Sequence, residues 1–181
     1  MSVFTKLSNG LRRLKADKSG VSAVEFALIA PVMVSLYLGA VEVAVMMDAD
    51  RRVTATASVV GDLVAQDDEI RNDEIDDIFN AATVIMNPER VTRLEMRVSL
   101  IEDNGVGGEV VWSDGRGFAP RAVGSTVAVP AGLMPPGGTL VMSEAQYEHV
   151  SWFGLLSGGT QSLSDRFFLR PRRSVEIDRV P

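Results

Sequence analysis

From Phe26 to Val41 the chain runs FALIAPVMVSLYLGAV, sixteen residues without a charge. Glu42 interrupts, and VAVMM carries the apolar run on to Met47, so residues 26–47 make 22 positions. As a helix they measure about 33 Å at ~1.5 Å per residue, enough to cross a hydrocarbon core of about 30 Å. The core helix of a soluble protein is one rival, but this run is long, apolar on all sides and preceded by a basic segment. A cleaved secretory signal is another; its apolar region spans about 7–15 residues and ends in a small-x-small site. Here the run is longer and no clean Ala-x-Ala follows it. Before the helix stand Lys6, Arg12, Arg13, Lys15 and Lys18 against Asp17 alone; shortly after it come only Arg51 and Arg52. The positive-inside rule then puts the N-terminus in the cytoplasm and the bulk of the chain outside, as a single-pass membrane protein.

The formal charge of -6 is unevenly spread. From Asp48 onward there are 13 Arg, no Lys and 21 Asp or Glu. Such a domain offers no net basic surface to displace counterions from phosphates, which argues against nucleic acid as a partner. The absence of Cys excludes a disulfide framework, a thiolate metal site and a cysteine nucleophile. A solitary His149 excludes any centre that needs two imidazoles.

An acidic residue at mid-bilayer costs roughly 2.5–3.5 kcal/mol on insertion scales, so Glu25 and Glu42 need a reason. Glu42 lies toward the outer end of the run, where snorkelling or protonation lowers the cost; Glu25 stands at the inner boundary. The residues around Glu25 are KSGVSAVEFALIAP: a basic leader ending at Gly20, Glu25 as the fifth residue beyond it, the aromatic Phe26, then the apolar helix. This resembles the processing site of type IV prepilins, the tight-adherence (Tad, or Flp) branch in particular. Gly20, Glu25, Phe26, Ala27, Leu28, Pro31, Gly39 and Glu42 together resemble the N-terminal segment of TadE-like pseudopilins, over about residues 20–47. The WSD and RPR elements and the helix-end GDLVAQ are also similar to that family, though less specific. The resemblance implies cleavage between Gly20 and Val21 by a prepilin peptidase on the cytoplasmic face. It also implies an assembly role for Glu25 and Phe26, with Pro31, Gly39 and Glu42 as motif residues in the membrane helix. A small residue before the scissile bond lets a membrane protease reach the backbone. Cleavage frees the Val21 α-amino group, whose ordinary pKa near 8 leaves it mostly cationic, and that ammonium can pair with Glu25 of its own or a neighbouring subunit.

Beyond the membrane, Val53, Ala57, Val60 and Val64 recur at helical spacing, which predicts that the helix continues to about residue 66. Gly61 weakens it slightly, and Pro31 is expected to kink it locally. A second helix is predicted over about Asp73–Met86, capped by Asp73, with acids in its first turn and Asn87-Pro88 ending it. The pattern then switches to period two. In RLEMRVSLI, Leu94, Met96, Val98 and Leu100 face one way, and Arg93, Glu95, Arg97 and Ser99 the other. Val91–Asp103 and Val110–Ser113 are expected to form a hairpin, and Ser125–Val129 a short strand. TLVMSEAQYEHVSW should be a strand with Val141, Ala145 and Tyr147 inward; RFFLRPRRSVEI should be the last strand, with Pro171 marking an edge or bulge. The fold class is α+β: a long N-terminal transmembrane helix extending into a periplasmic head with a second helix and a mostly antiparallel β-sheet. The expected parts are a basic leader over 1–20, the membrane helix over 21–47, its extension over 48–66 and the head over 67–181.

Signatures of catalysis are weak. His149 has no Gly-x-Ser-x-Gly elbow to serve, and a structural or surface histidine is favoured. The NGVGGE and PPGG stretches lack the Lys-Ser/Thr of a phosphate loop and are turns. The acids of 67–77 lack the ligand spacing of a calcium loop, and a solvated helix start is favoured over a metal site. Trp112 and Trp152 suit a core or an interface. Arg166, Arg170, Arg172 and Arg173 form a basic cluster expected to be neutralised by the acidic 67–77 region. The preferred reading is a non-enzymatic minor pseudopilin of a Tad system, with no cofactor, metal or small-molecule substrate. Its partners would be the inner membrane, the prepilin peptidase, other Tad pilins or pseudopilins and the assembly platform. The alternatives are a signal-anchored periplasmic binding module or enzyme unrelated to pili, and a type II secretion pseudopilin.

Overall fold

The structure, a computed structural model, describes residues 20–86, 88–105, 107–154 and 159–180. The basic leader before Gly20, and Asn87, lie outside these. Two compact units are separated after Glu42. In the first, helix α1 (Val21–Val64) begins, and it continues through Pro31. Proline there removes the N–H that would bond the carbonyl of Ala27, a loss that membrane helices tolerate.

The second unit, Val43–Pro181, holds the rest of α1 and all other elements. In chain order these are β1 (Glu69–Ile70), α2 (Asn72–Thr83), a 3-10 turn (Pro88–Arg93), β2 (Leu94–Asp103), β3 (Gly108–Arg116), β4 (Thr126–Val127), β5 (Thr139–Val150), β6 (Thr160–Leu169) and β7 (Asp178–Arg179). Five strands form a sheet in the order β4-β3-β2-β5-β6 with every neighbour antiparallel, while β1 and β7 pair in parallel. The fold is therefore α+β, as the switch from helical to alternating periodicity predicts.

The outer stripe of α1 (Ala49, Val53, Ala57, Val60 and Val64) is buried in one core with Met96, Val98 and Leu100 of β2 and Val141, Ala145 and Tyr147 of β5. Helix α2 adds Ile75, Phe79 and Ala82 to it. A register shift between Leu100 and Ile101 opposes them to Trp112 and Val110. That bulge keeps Trp112 in the helix-side core, where its Nε1 donates to the Ile177 carbonyl at 2.8 Å. Val110 turns instead to a small cluster on the other face, with Ile101, Val127 and Met142.

Several boundaries differ from the sequence expectation. Helix α1 stops at Val64, two residues early, with Ala65 and Gln66 in a turn. Helix α2 starts at Asn72, and Asp73 is not its cap: the Glu74 carboxylate accepts from the Arg71 N–H at 2.8 Å. It ends at Thr83 rather than Met86, and Val91 lies in the 3-10 turn rather than in β2. Strand β6 is an edge strand, as expected, but it ends at Leu169, so Pro171 follows it instead of bulging it; proline has no N–H to continue a ladder.

Candidate assembly segment and its carboxylates

Gly20 is an exposed turn residue whose carbonyl accepts the first helical bond, from the Val24 N–H at 3.1 Å. A Cβ placed on Gly20 meets no atom within 4 Å among the described residues. Glu25 and Phe26 follow on the second turn, both exposed, Phe26 at 72%. Val21, Leu28, Ile29, Val32, Met33, Leu36 and Tyr37 are exposed as well, which spreads apolar side chains all round the helix. The most apolar eighteen residues of α1 are only 6% buried, unlike the core helix of a soluble protein. Gly39 is also open, with nothing within 4 Å of a Cβ. Helix α1 is long and apolar enough to cross a membrane, with a glycine at Gly39 within it and Gly20 just before it.

Glu42, for which snorkelling or protonation was expected to lower the cost of an acid in an apolar run, is only 7% exposed, and neither carboxylate oxygen has a hydrogen-bond partner among the described residues. A buried carboxylate without a donor is costly, by several kcal/mol for the ion. Glu42 and Glu25 thus differ in environment: one buried, the other open at the start of the helix.

The head carries a second carboxylate centre that sequence reasoning missed. Glu144 points to the face of the sheet away from α1, yet is 7% exposed. Antiparallel pairing sets it opposite Arg97 on β2 and Arg166 on β6. Arg97 Nε donates to it at 2.8 Å, Arg166 Nε at 3.0 Å, and Arg121, from the loop after β3, through Nη2 at 2.9 Å. The Arg97 guanidinium also lies 4.8 Å over the Phe118 ring. Burial pushes the Glu144 carboxyl up, but hydrogen bonds and charge from Arg121 and Arg97 outweigh it and hold the group below the usual carboxylate range. These side chains line an open cleft of about 560 Å³, whose wall also carries Asp165. Three cations on one carboxylate tie β2, β5, β6 and the 117–121 loop together.

The C-terminal arginines do not neutralise the 67–77 acids as expected. Arg166 serves Glu144, Arg172 pairs with Asp62, and Arg170 lies 3.5 Å from the Leu133 carbonyl. The acids find other cations instead: Asp76 pairs with Arg116 at 3.1 Å and Glu69 with Arg71 at 3.6 Å. His149 is 4% exposed, with its ring 6.4 Å from that of Tyr147, in the position of a structural histidine.

No curated protein and no solved structure matches the chain. The family model described as TadE-like protein matches residues 20–61. That stretch holds Gly20, Glu25, Phe26, Pro31, Gly39 and Glu42 and runs on to Gly61, beneath the sheet. Over these residues, from Gly20 to Gly61, the chain is similar to the TadE-like family.

Proposed function

We propose that this protein is a minor pilin-like component, a pseudopilin, of Tad pilus assembly, and that it acts by packing and docking rather than by catalysis. The observation that carries the reading is the TadE-like match over residues 20–61, on a helix whose apolar surface is left uncovered along its first half. In this account residues 21–47 cross the inner membrane, with the leader in the cytoplasm and the head in the periplasm. A prepilin peptidase cuts between Gly20 and Val21, and the freed α-ammonium pairs with Glu25 of the same or a neighbouring subunit. The uncovered helix then packs against other pilin or pseudopilin helices, and the head meets the assembly platform and partner subunits. Glu42, buried without a donor, is the group on this helix whose electrostatics most call for one from a neighbour.

Intact-mass analysis of protein extracted from membranes, with and without the peptidase, tests the processing step. A mature chain starting at Val21, and an uncut chain in the strain lacking the peptidase, are expected. A wild-type chain that keeps its leader removes peptidase processing from the account. Fusions after Pro181 test the topology: a reporter active only in the periplasm should work and one active only in the cytoplasm should not.

A further inference from the structure

We propose that the cleft around Glu144 is a docking site for an acidic segment of a partner protein, whose carboxylate it receives on guanidinium N–H groups that Glu144 leaves free. The proposal gives a chemistry to the docking assigned above and rests on that reading of the head. Every residue involved lies within the unit Val43–Pro181. Arg97 is fully engaged: its Nε and Nη2 hold Glu144, at 2.8 and 2.7 Å, and its Nη1 donates to the Ala119 carbonyl at 3.0 Å. Arg121 and Arg166 are engaged only in part. Each turns Nε and Nη2 to Glu144, and the Nη1 of neither has a hydrogen-bond partner among the described residues. Gln146 and Ser164 stand opposite each other, two residues along from the pair Glu144–Arg166 and on the same face of the sheet. Neither the Gln146 amide nor the Ser164 hydroxyl has a partner among the described residues, and both line the cleft with Arg121 and Arg166.

The cleft is therefore rich in free donors and poor in free acceptors. Glu144 is held by three cations, and Asp165 is engaged as well, by the Thr54 hydroxyl at 2.7 Å and the Arg166 N–H at 2.8 Å. Three arginines against these two acids leave a surplus of one positive charge, in a chain that from Asp48 onward carries 21 Asp or Glu against 13 Arg. An anion complements that surplus, and a planar carboxylate matches the fork of a guanidinium. A long polyanion does not fit, because Glu95, opposite Gln146, and Glu148, opposite Ser162, come next along the same face and would repel it. A small free ligand fits poorly too: such ligands are held where most of their surface is buried, and this cleft is open. A protein segment brings its own cover. Strand β6 is at the edge of the sheet, so an extended segment can lie beside Ser164 and Arg166 without displacing another described strand.

The test titrates isotope-labelled full-length protein, in an uncharged detergent, with a capped Ser-Glu-Gly-Glu-Ser peptide, with its Gln-for-Glu counterpart and with inorganic phosphate. The Glu peptide should shift the nuclear resonance signals of the Gln146 side-chain amide and of Arg121 and Arg166 Nε to saturation. It should bind at least about tenfold more tightly than the Gln peptide, the weight of one charge-assisted hydrogen bond. Gln146→Glu puts a carboxylate in the cleft with little change of shape; it should unfold at the wild-type midpoint and bind the Glu peptide about tenfold more weakly. A Glu peptide that wild type binds no better than the Gln peptide overturns the proposal, whether or not the variant folds. So does one that a folded Gln146→Glu binds as well as wild type does. Phosphate held more tightly than the Glu peptide means a small-anion pocket, and overturns it too. Leader cleavage and surface pili, followed in parallel, report on the assembly reading: a protein that is cleaved and needed for pili but blind to the peptide loses this proposal alone. A strain that makes normal pili without the protein loses the assembly reading, and with it the docking role on which this proposal rests.

Discussion

A glycine inside a helix costs about 1 kcal/mol relative to alanine, and helical periodicity alone makes Gly61 a mild weakness in the extension of α1. Packing gives it a purpose. A Cβ at that position would lie 2.6 Å from both Leu169 Cδ1 and Ser143 Oγ, and that hydroxyl donates to the Ala57 carbonyl at 2.7 Å. The helix touches the sheet there almost backbone to side chain. Gly61→Ala should therefore destabilise the protein by about 1–2 kcal/mol despite better helix propensity, and Gly61→Val by more. Chemical unfolding in detergent, followed by the environment of buried Trp112, measures it; an alanine variant as stable as wild type would mean that α1 has room to move off the sheet. Glu42 is the converse case. Its sequence position near the outer end of an apolar run suggested a carboxylate that snorkels or is protonated, and its burial could be learned only from what surrounds it in three dimensions.

At the scale of elements, sheet register brings together what the chain keeps far apart. Glu144 lies 47 positions from Arg97, 23 from Arg121 and 22 from Arg166, and no local spacing marks them as partners. With Val141, Ala145 and Tyr147 inward, the alternation of β5 leaves Glu144 on the other face, but alternation says nothing of neighbouring strands, so its burial under three guanidiniums was invisible. Much else was legible. Leu94, Met96, Val98 and Leu100 on one face of β2 follow from period alone and do sit in the core. Boundaries were less legible: Asp73 competes for the α2 cap with Glu74, whose longer side chain reaches back to the Arg71 N–H. The ion cluster also sets an acid response. Glu144 titrates below its unfolded value, so its stabilisation is fully present above the unfolded carboxylate pKa of about 4.3 and disappears as pH falls through the folded value. Asp103, held down by the N–H groups of Gly137 and Gly105, acts in the same direction. Glu144→Gln should cost about 2–3 kcal/mol at neutral pH, discounted for the partial exposure of the arginines, and should flatten the loss of stability below pH ~4.3. Unfolding midpoints from acid to neutral pH check both; an unchanged acid limb would place the proton-linked loss elsewhere.

For the molecule as a whole, one helix serves two environments. The first part of α1 is apolar on every side and almost entirely uncovered, while its outer stripe from Ala49 to Val64 forms the floor of the head's core. The sequence showed this division directly, as an all-round apolar run giving way to a one-sided stripe, and the TadE-like match bridges the two. Our proposal makes the uncovered part an assembly surface, with Glu25 at its inner end as the partner of a subunit's α-ammonium. Replacing Glu25 removes a group that is unfavourable in lipid, so insertion should not suffer. The head should be untouched as well, because Glu25 belongs to the other compact unit. What disappears is the carboxylate, and a cation left unpaired in a low-dielectric interface is costly. The most direct test compares surface pili, the amount of cleaved protein and the recovery of co-purifying subunits between wild type and Glu25→Ala. The account predicts loss of pili and of partner recovery with cleaved protein still in the membrane at near wild-type level; normal pili and normal recovery from the mutant would contradict it.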